Sequence, residues 1–255
     1  MTRYEQLLKM GCFTWDELCE LTGNRNTANS LTKDYTEKGY IRRVRRGLYV
    51  AVNLADNEPV VSRFRIASKI TSSAYVSHHA AFAYYGCANQ VSYDVEVASD
   101  DAFAPFSFAG DKYRYLASHL AEGVVMQPDG VRITDLERTI LDNISDFEKI
   151  MGLEELLHCL GLIPTVNEKK LLEYLAAYGK QILYQKAGCL LTRFQKDWGL
   201  SDNFFTQCAA RIGKSKRFLV APTGETTMEA LRYDRKWQLI VPPHLIQEGV
   251  EDAEV

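Results

Sequence analysis

Residues 14–52, TWDELCELTGNRNTANSLTKDYTEKGYIRRVRRGLYVAV, constrain the fold more tightly than any other stretch of the chain. Thr14 stands three residues before Glu17, the spacing at which a hydroxyl and a carboxylate satisfy backbone donors at a helix start. Leu18 and Leu21 supply that helix with a buried side, and Thr22-Gly23 stops it. The next helix is predicted over 26–38 and ends at Gly39, a glycine where the chain must turn left-handed. Ala28, Leu31 and Tyr35 recur at helical spacing and face inward. The opposite face carries Thr27, Asn29, Ser30 and Lys33, with Arg25 and Asn26 at its N-terminal end. Tyr40-Ile41 and Leu48-Tyr49-Val50 are strand-like around an Arg45-Arg46-Gly47 turn. Arg42, Arg43, Arg45 and Arg46 crowd this short ribbon with four positive charges.

Helix, turn, helix and a two-stranded wing is the order of a winged helix-turn-helix, which lays its second helix in a DNA groove. Short polar side chains on the second helix approach base edges closely. Asn pairs in two-point fashion with adenine, and Arg with guanine. Four arginines on one ribbon repel one another unless a polyanion lies nearby, and lysine or arginine contacts to phosphate are what make DNA binding salt-dependent. The bland alternative, a solvated helix whose Asn and Thr serve only as caps, stays open for the helix taken alone. The charge distribution favours the DNA reading: residues 1–52 hold nine Lys/Arg against six Asp/Glu, whereas the remainder holds 21 against 27.

With 255 residues and 46% hydrophobic content, the chain has enough apolar material for one large domain or two ordinary ones. Cys12, Cys19, Cys87, Cys159, Cys189 and Cys208 are scattered without a CxxC pair, so reduced, mostly buried thiols and a cytoplasmic location are expected. Met1 is followed by polar residues, which argues against a signal peptide. No apolar run approaches about 18 residues, so no transmembrane helix is expected.

A first short helix is predicted over 4–10, before the opening stretch. The polar stretch 56–59 reads as a linker, giving a DNA-binding domain over 1–55, a larger mixed domain over 60–245 and an acidic tail over 246–255. Within the larger domain, 77–86 reads as a short helix capped by Ser77 and stopped by Gly86. Val91, Tyr93, Val95 and Val97 alternate as one strand face. Hairpins are predicted around Gly110-Asp111 and Pro128-Asp129-Gly130, for a sheet of about five strands. Thr134 and Glu137 look like a second capping box, opening a helix with Leu136, Ile140, Leu141 and Ile144 inward. Helices follow over 153–160, 168–178, 181–198 and 202–212, with strands over 218–220 and 237–241. The fold class is therefore α+β.

Three clusters invite a catalytic reading. His78-His79 point about 100° apart on a helix, so they do not readily share one metal or substrate. Asp94 and Glu96 lie on one side of a strand as in metal-dependent nucleases, but no lysine follows at the near positions. Asp135, Glu137, Arg138 and Asp142 are spaced for ion pairs within one helix. His119 and His158 are remote, and His158-Cys159 lacks further ligands at zinc-site spacing. No phosphate-cradling glycine loop is present. No catalytic residue, metal or cofactor is therefore expected, and a nuclease centred on Asp94 and Glu96 remains the weakest alternative.

The wing YIRRVRRGLYV, the segment ITSSAYVSHHAAFAYYG, the helix start ITDLERTILD and the later LYQKAGCLL together resemble the AbiEi family, in that order, from residue 14 to about residue 242. Its members are antitoxin-type transcriptional regulators of type IV (abortive-infection) toxin–antitoxin systems, which act in phage defence. The resemblance implies a winged helix-turn-helix followed by a larger mixed α/β antitoxin-type domain. It implies binding to inverted repeats in double-stranded DNA of the protein's own promoter, self-association on that DNA, repression, and a nucleotidyltransferase-like toxin as partner. Transferred to this sequence, the promoter-reading surface falls on Arg25, Asn26, Thr27, Asn29, Ser30 and Lys33 and on Arg42, Arg43, Arg45 and Arg46. A competing expectation is a module that neutralises a toxin by direct contact.

Overall fold

The computed structural model describes residues 2–118, 120–221 and 231–246. His119 and all of the acidic tail after residue 246 lie outside them. The chain is α+β and divides into two compact units, each discontinuous in sequence. The first comprises Met1–Ala81, Ser92–His119 and Val124–Thr134; the second comprises Phe82–Val91, Leu120–Gly123 and Asp135–Val255.

The first unit begins with α1 (Arg3–Met10), β1 (Cys12–Thr14), α2 (Trp15–Thr22), α3 (Arg25–Glu37), β2 (Ile41–Arg45) and β3 (Leu48–Asn53). Both capping boxes of this segment are built: Thr2 with Glu5 opens α1, and Thr14 with Glu17 opens α2. Leu7, Phe13, Leu18, Ala28, Ile41 and Ala51 are fully buried together, with Leu31, Tyr35 and Tyr49 packed against them. The predicted inward faces of both helices therefore meet one core. β1 pairs antiparallel with β3, and β3 with β2. The second half of the expected linker at 56–59 is instead a strand of this sheet. Asp56 accepts the Glu58 N–H at 3.0 Å, and β4 (Glu58–Pro59) returns along β3 with Val52 opposite Pro59.

A six-stranded sheet completes the unit, in the order β7-β8-β6-β5-β10-β9. Its strands are β5 (Tyr75–Val76), β6 (Asp94–Ser99), β7 (Phe106–Phe108), β8 (Asp111–Ala117), β9 (Val124–Met126) and β10 (Arg132–Thr134). Both predicted hairpins are present, the first turning through Ala109 and Gly110, each with positive φ. Of this sheet's strands, the one the sequence reading missed is β5, which is only two residues long. The alternation from 91 to 97 holds in its second half alone: Val95 and Val97 are buried, whereas Val91 and Tyr93 precede the strand and are exposed. Interior strands covered on both faces lose the in–out pattern, and in β6 every residue from 95 to 99 is buried. The short helices α4 (Arg63–Ala67) and α5 (His78–Tyr84) accompany this sheet in sequence.

The second unit is mainly helical: α6 (Leu136–Ile150), α7 (Gly152–Gly161), α8 (Glu168–Tyr178), α9 (Gln181–Leu191), α10 (Gln195–Trp198) and α11 (Asp202–Ala210). Ile140, Leu141, Ile144 and Phe147 of α6 share its core with Leu156, Leu171, Leu190 and Phe204. The cap of α6 is Asp135, which accepts the Arg138 N–H at 3.0 Å, and not Thr134, which ends β10. Glu137 accepts the Asn167 N–H at 2.7 Å in place of closing a box. The helix predicted over 181–198 breaks after Leu191, where the Thr192 hydroxyl donates to the Gly188 carbonyl at 2.6 Å and a short 3₁₀ turn intervenes. A three-stranded sheet holds β11 (Arg217–Phe218) and β12 (Arg232–Asp234) on either side of β13 (Leu239–Val241).

Among the described residues no helix is long and apolar enough to cross a membrane. All six cysteines are free, and five are buried. Burial pushes the thiols of Cys12, Cys159, Cys189 and Cys208 up to about 12, so they are held as neutral thiols.

Candidate nucleic-acid interface

The turn between α2 and α3 is two residues long. Gly23 takes the left-handed conformation at φ 70°, closing α2 through N–H bonds to the Cys19 and Glu20 carbonyls. Asn24 then caps α3 through its side-chain oxygen, 2.7 Å from the Asn26 nitrogen and 3.4 Å from that of Thr27. So short a connection fixes the angle between the helices and, with Ala28 in the core, the rotation of α3 about its axis. Arg25, Asn26, Thr27, Asn29, Ser30 and Lys33 are all exposed, and together they form the outward face of its first two turns and a half. The expected reading surface of this helix is thus gathered on one side.

The four wing arginines separate into two pairs. Along 41–46 the burial runs buried, intermediate, exposed and then repeats: Ile41 and Val44 are in the core, Arg42 and Arg45 are half-buried, and Arg43 and Arg46 are exposed. A regular strand would alternate with a period of two. The cause is a β-bulge, since Arg43 faces Tyr49 while Arg45 already faces Leu48, leaving Val44 as the extra residue. The Arg42 guanidinium lies over the Phe108 ring at 4.9 Å. That of Arg45 lies over both Phe103 and Phe106 at 5.5 Å. The four arginines expected to contact DNA are therefore not equivalent: the Arg42 and Arg45 guanidiniums lie over aromatic rings, whereas exposed Arg43 donates from Nε to the Arg45 carbonyl at 3.3 Å.

The rings that receive them are themselves held. Phe106 stacks on Tyr113 at 4.9 Å and 14°, and Phe103 meets Tyr115 edge-on at 5.6 Å. The sequence reading placed Phe106 and Phe108 in a hairpin strand but assigned no role to them or to Phe103. Their signal was the run FAPFSF, an aromatic density too high for a solvated loop. A second brace joins Glu17 of α2 to Lys69 by an ion pair. Burial raises the Glu17 carboxyl, but bonds from Lys69 and from the Thr14 N–H outweigh it and hold that group below its ordinary value.

The other clusters read as packing. Asp94 is paired with Arg114 at 2.9 Å, while Glu96, 2% exposed, accepts the Ala80 N–H at 3.0 Å. These two acids do not form an open pair on a solvent face, as the sequence suggested. Lys112 of β8 stands opposite Asp94, so a lysine is near in space although absent in sequence. Burial raises the Glu96 carboxyl, against the pull of His78 and His79. His78 bonds to the Ser77 hydroxyl at 2.9 Å, and His79 is buried. In the second unit Arg138 and Asp142, each 3% exposed at the side chain, pair at 2.7 Å. Tyr178 bonds to both, and the Leu120 and Glu122 carbonyls accept from the same guanidinium. Asp135 is held by Lys170 at 2.9 Å and by the Tyr174 hydroxyl at 2.8 Å.

No family model matches the chain, and no curated protein does. Among solved structures it is similar to the RV2827C protein from Mycobacterium tuberculosis, with a TM-score of 0.61 over 93% of this chain and 89% of that one. At 12% identity that likeness is one of fold alone.

Proposed function

We propose that the protein is a sequence-specific DNA-binding repressor and that residues 1–55 act as a winged helix-turn-helix. In this reading α3 enters the major groove, its outward residues read base edges, and the wing contacts the backbone. The observation that carries it is the exposed face of Arg25, Asn26, Thr27, Asn29, Ser30 and Lys33 on a helix held by a two-residue turn. Exposed Arg43 and Arg46 on the hairpin that follows α3 add to it. The resemblance to AbiEi antitoxins supplies the context: a cytoplasmic regulator that binds inverted repeats in its own promoter, self-associates there, and is paired with a nucleotidyltransferase-like toxin in phage defence. The protein acts by binding, not by catalysis, and the buried Glu96 and the Asp94 ion-paired with Arg114 speak against a nuclease.

A gel-shift titration against DNA from upstream of the protein's own gene tests this. Tight binding there, with random duplex competing only in large excess, is the expected result; equal affinity for both would remove the repressor reading. Asn26→Ala should relax preference at one base pair by about 1–3 kcal/mol. Alanine is a good helix former, so the helix itself should persist. An unaltered preference would take Asn26 out of the reading surface.

A further inference from the structure

We propose that the bulge at Val44 sorts the wing arginines by role, so that Arg42 and Arg45 anchor the hairpin to an aromatic cradle while Arg43 and Arg46 contact phosphate. Phe103, Phe106 and Phe108 are then positioning residues for DNA binding. The division of roles rests on the DNA-binding reading above; the cradle does not.

Three observations support the sorting. Arg42 and Arg45 lie over ring faces at 4.9 and 5.5 Å, the geometry in which a ring quadrupole attracts a cation. One guanidinium nitrogen of Arg45, Nη1, is buried with no hydrogen-bond acceptor among the described residues. A buried guanidinium nitrogen left so is costly unless something else supplies negative potential, and here the faces of Phe103 and Phe106 do. The cradle is also rigid, since Phe106 is stacked on Tyr113 and Phe103 abuts Tyr115. Arg42 and Arg45, docked in this way, set the direction in which Arg43 and Arg46 point.

Because phosphate contacts are independent of sequence, generic linear duplex serves as the probe. The salt dependence of binding is measured for the full chain and for two double variants, Arg43→Gln/Arg46→Gln and Arg42→Gln/Arg45→Gln. Loss of two phosphate contacts should flatten the slope of log K against log salt by about 1.8 in the first variant. The second should keep the slope of the intact chain while its affinity falls by about three- to tenfold at every salt concentration. An equal flattening in both variants would overturn the sorting. Misfolding is guarded against by Phe103→Leu/Phe106→Leu, which keeps apolar bulk but removes the ring faces. It should speed amide hydrogen exchange in β2 and β3 and weaken binding. Unchanged exchange there would overturn the cradle, and this readout needs no DNA. If the intact chain binds no duplex at low salt, the DNA-binding reading fails, and with it the role given to Arg43 and Arg46. The exchange measurement then still decides whether Arg42 and Arg45 are anchors.

Discussion

Glu96 illustrates how little a single residue discloses before its surroundings are known. On the sequence it is one of two carboxylates spaced along a strand; in the fold it is buried in β6 and accepts an N–H from α5. Burial raises its carboxyl above the ordinary value near 4.5, so the folded chain holds the proton more tightly than the unfolded chain does. For an acid shifted upward, this contribution to stability is fully present below the ordinary value. It is lost as the pH climbs from there through the folded one. Glu96→Gln keeps an acceptor for Ala80 and removes the titration. Its melting temperature should accordingly match that of the parent in acid and exceed it at neutral pH. Parallel melting curves across that range would show that Glu96 is not the titrating group. The same lesson applies to the wing: four arginines were legible as a charged ribbon, but their division was not, because the rings that receive two of them lie far along the chain.

Elements were legible where their causes are local. The cap Thr14, the glycine stop at Gly23 and both hairpins of the large sheet depend on neighbours within a few residues, and each is marked in the sequence. Misreadings arose where an element is shaped from afar. The cap of α6 fell one residue later than expected because Thr134 is claimed by β10. Inside α9, Gly188 is a poor helix former by propensity, yet a Cβ there would come within 2.1 Å of the Trp237 ring. Trp237 is 2% exposed and cannot swing away. Gly188→Ala should therefore destabilise the protein by about 1–3 kcal/mol despite alanine's helical advantage. Pairing it with Trp237→Phe should recover part of that loss in chemical denaturation. A neutral Gly188→Ala would mean that the helix and ring are not in tight contact.

For the chain as a whole, the boundary drawn at 56–59 would sever the first unit. Lys69 and the aromatic cradle lie beyond that point and β4 lies within it, whereas their partners β3, Glu17, Arg42 and Arg45 lie before it. A fragment covering 1–59 should melt with lower cooperativity than the intact chain, and one covering 60–255 should expose Phe103 and Phe106 and bind a hydrophobic dye. Sharp melting of both pieces would show that the helical pair and the large sheet are independent. In the second unit, the buried pair of Arg138 and Asp142 gathers the 120–123 segment onto α6. Removing one member of such a pair strands a buried charge, and Asp142→Ala should cost about 3–5 kcal/mol in denaturant titrations.

The start of α2, the turn glycines, the apolar sides of α2, α3 and α6 and the basic character of the front end could all be read from the residue string. Each follows from backbone chemistry and periodicity within one or two turns. The burial of Glu96, the pairing of Arg45 with Phe103 and Phe106, the clash that keeps Gly188 a glycine and the composition of the two units could not. They depend on which distant residues come within a few ångströms of one another, and no local pattern encodes those distances.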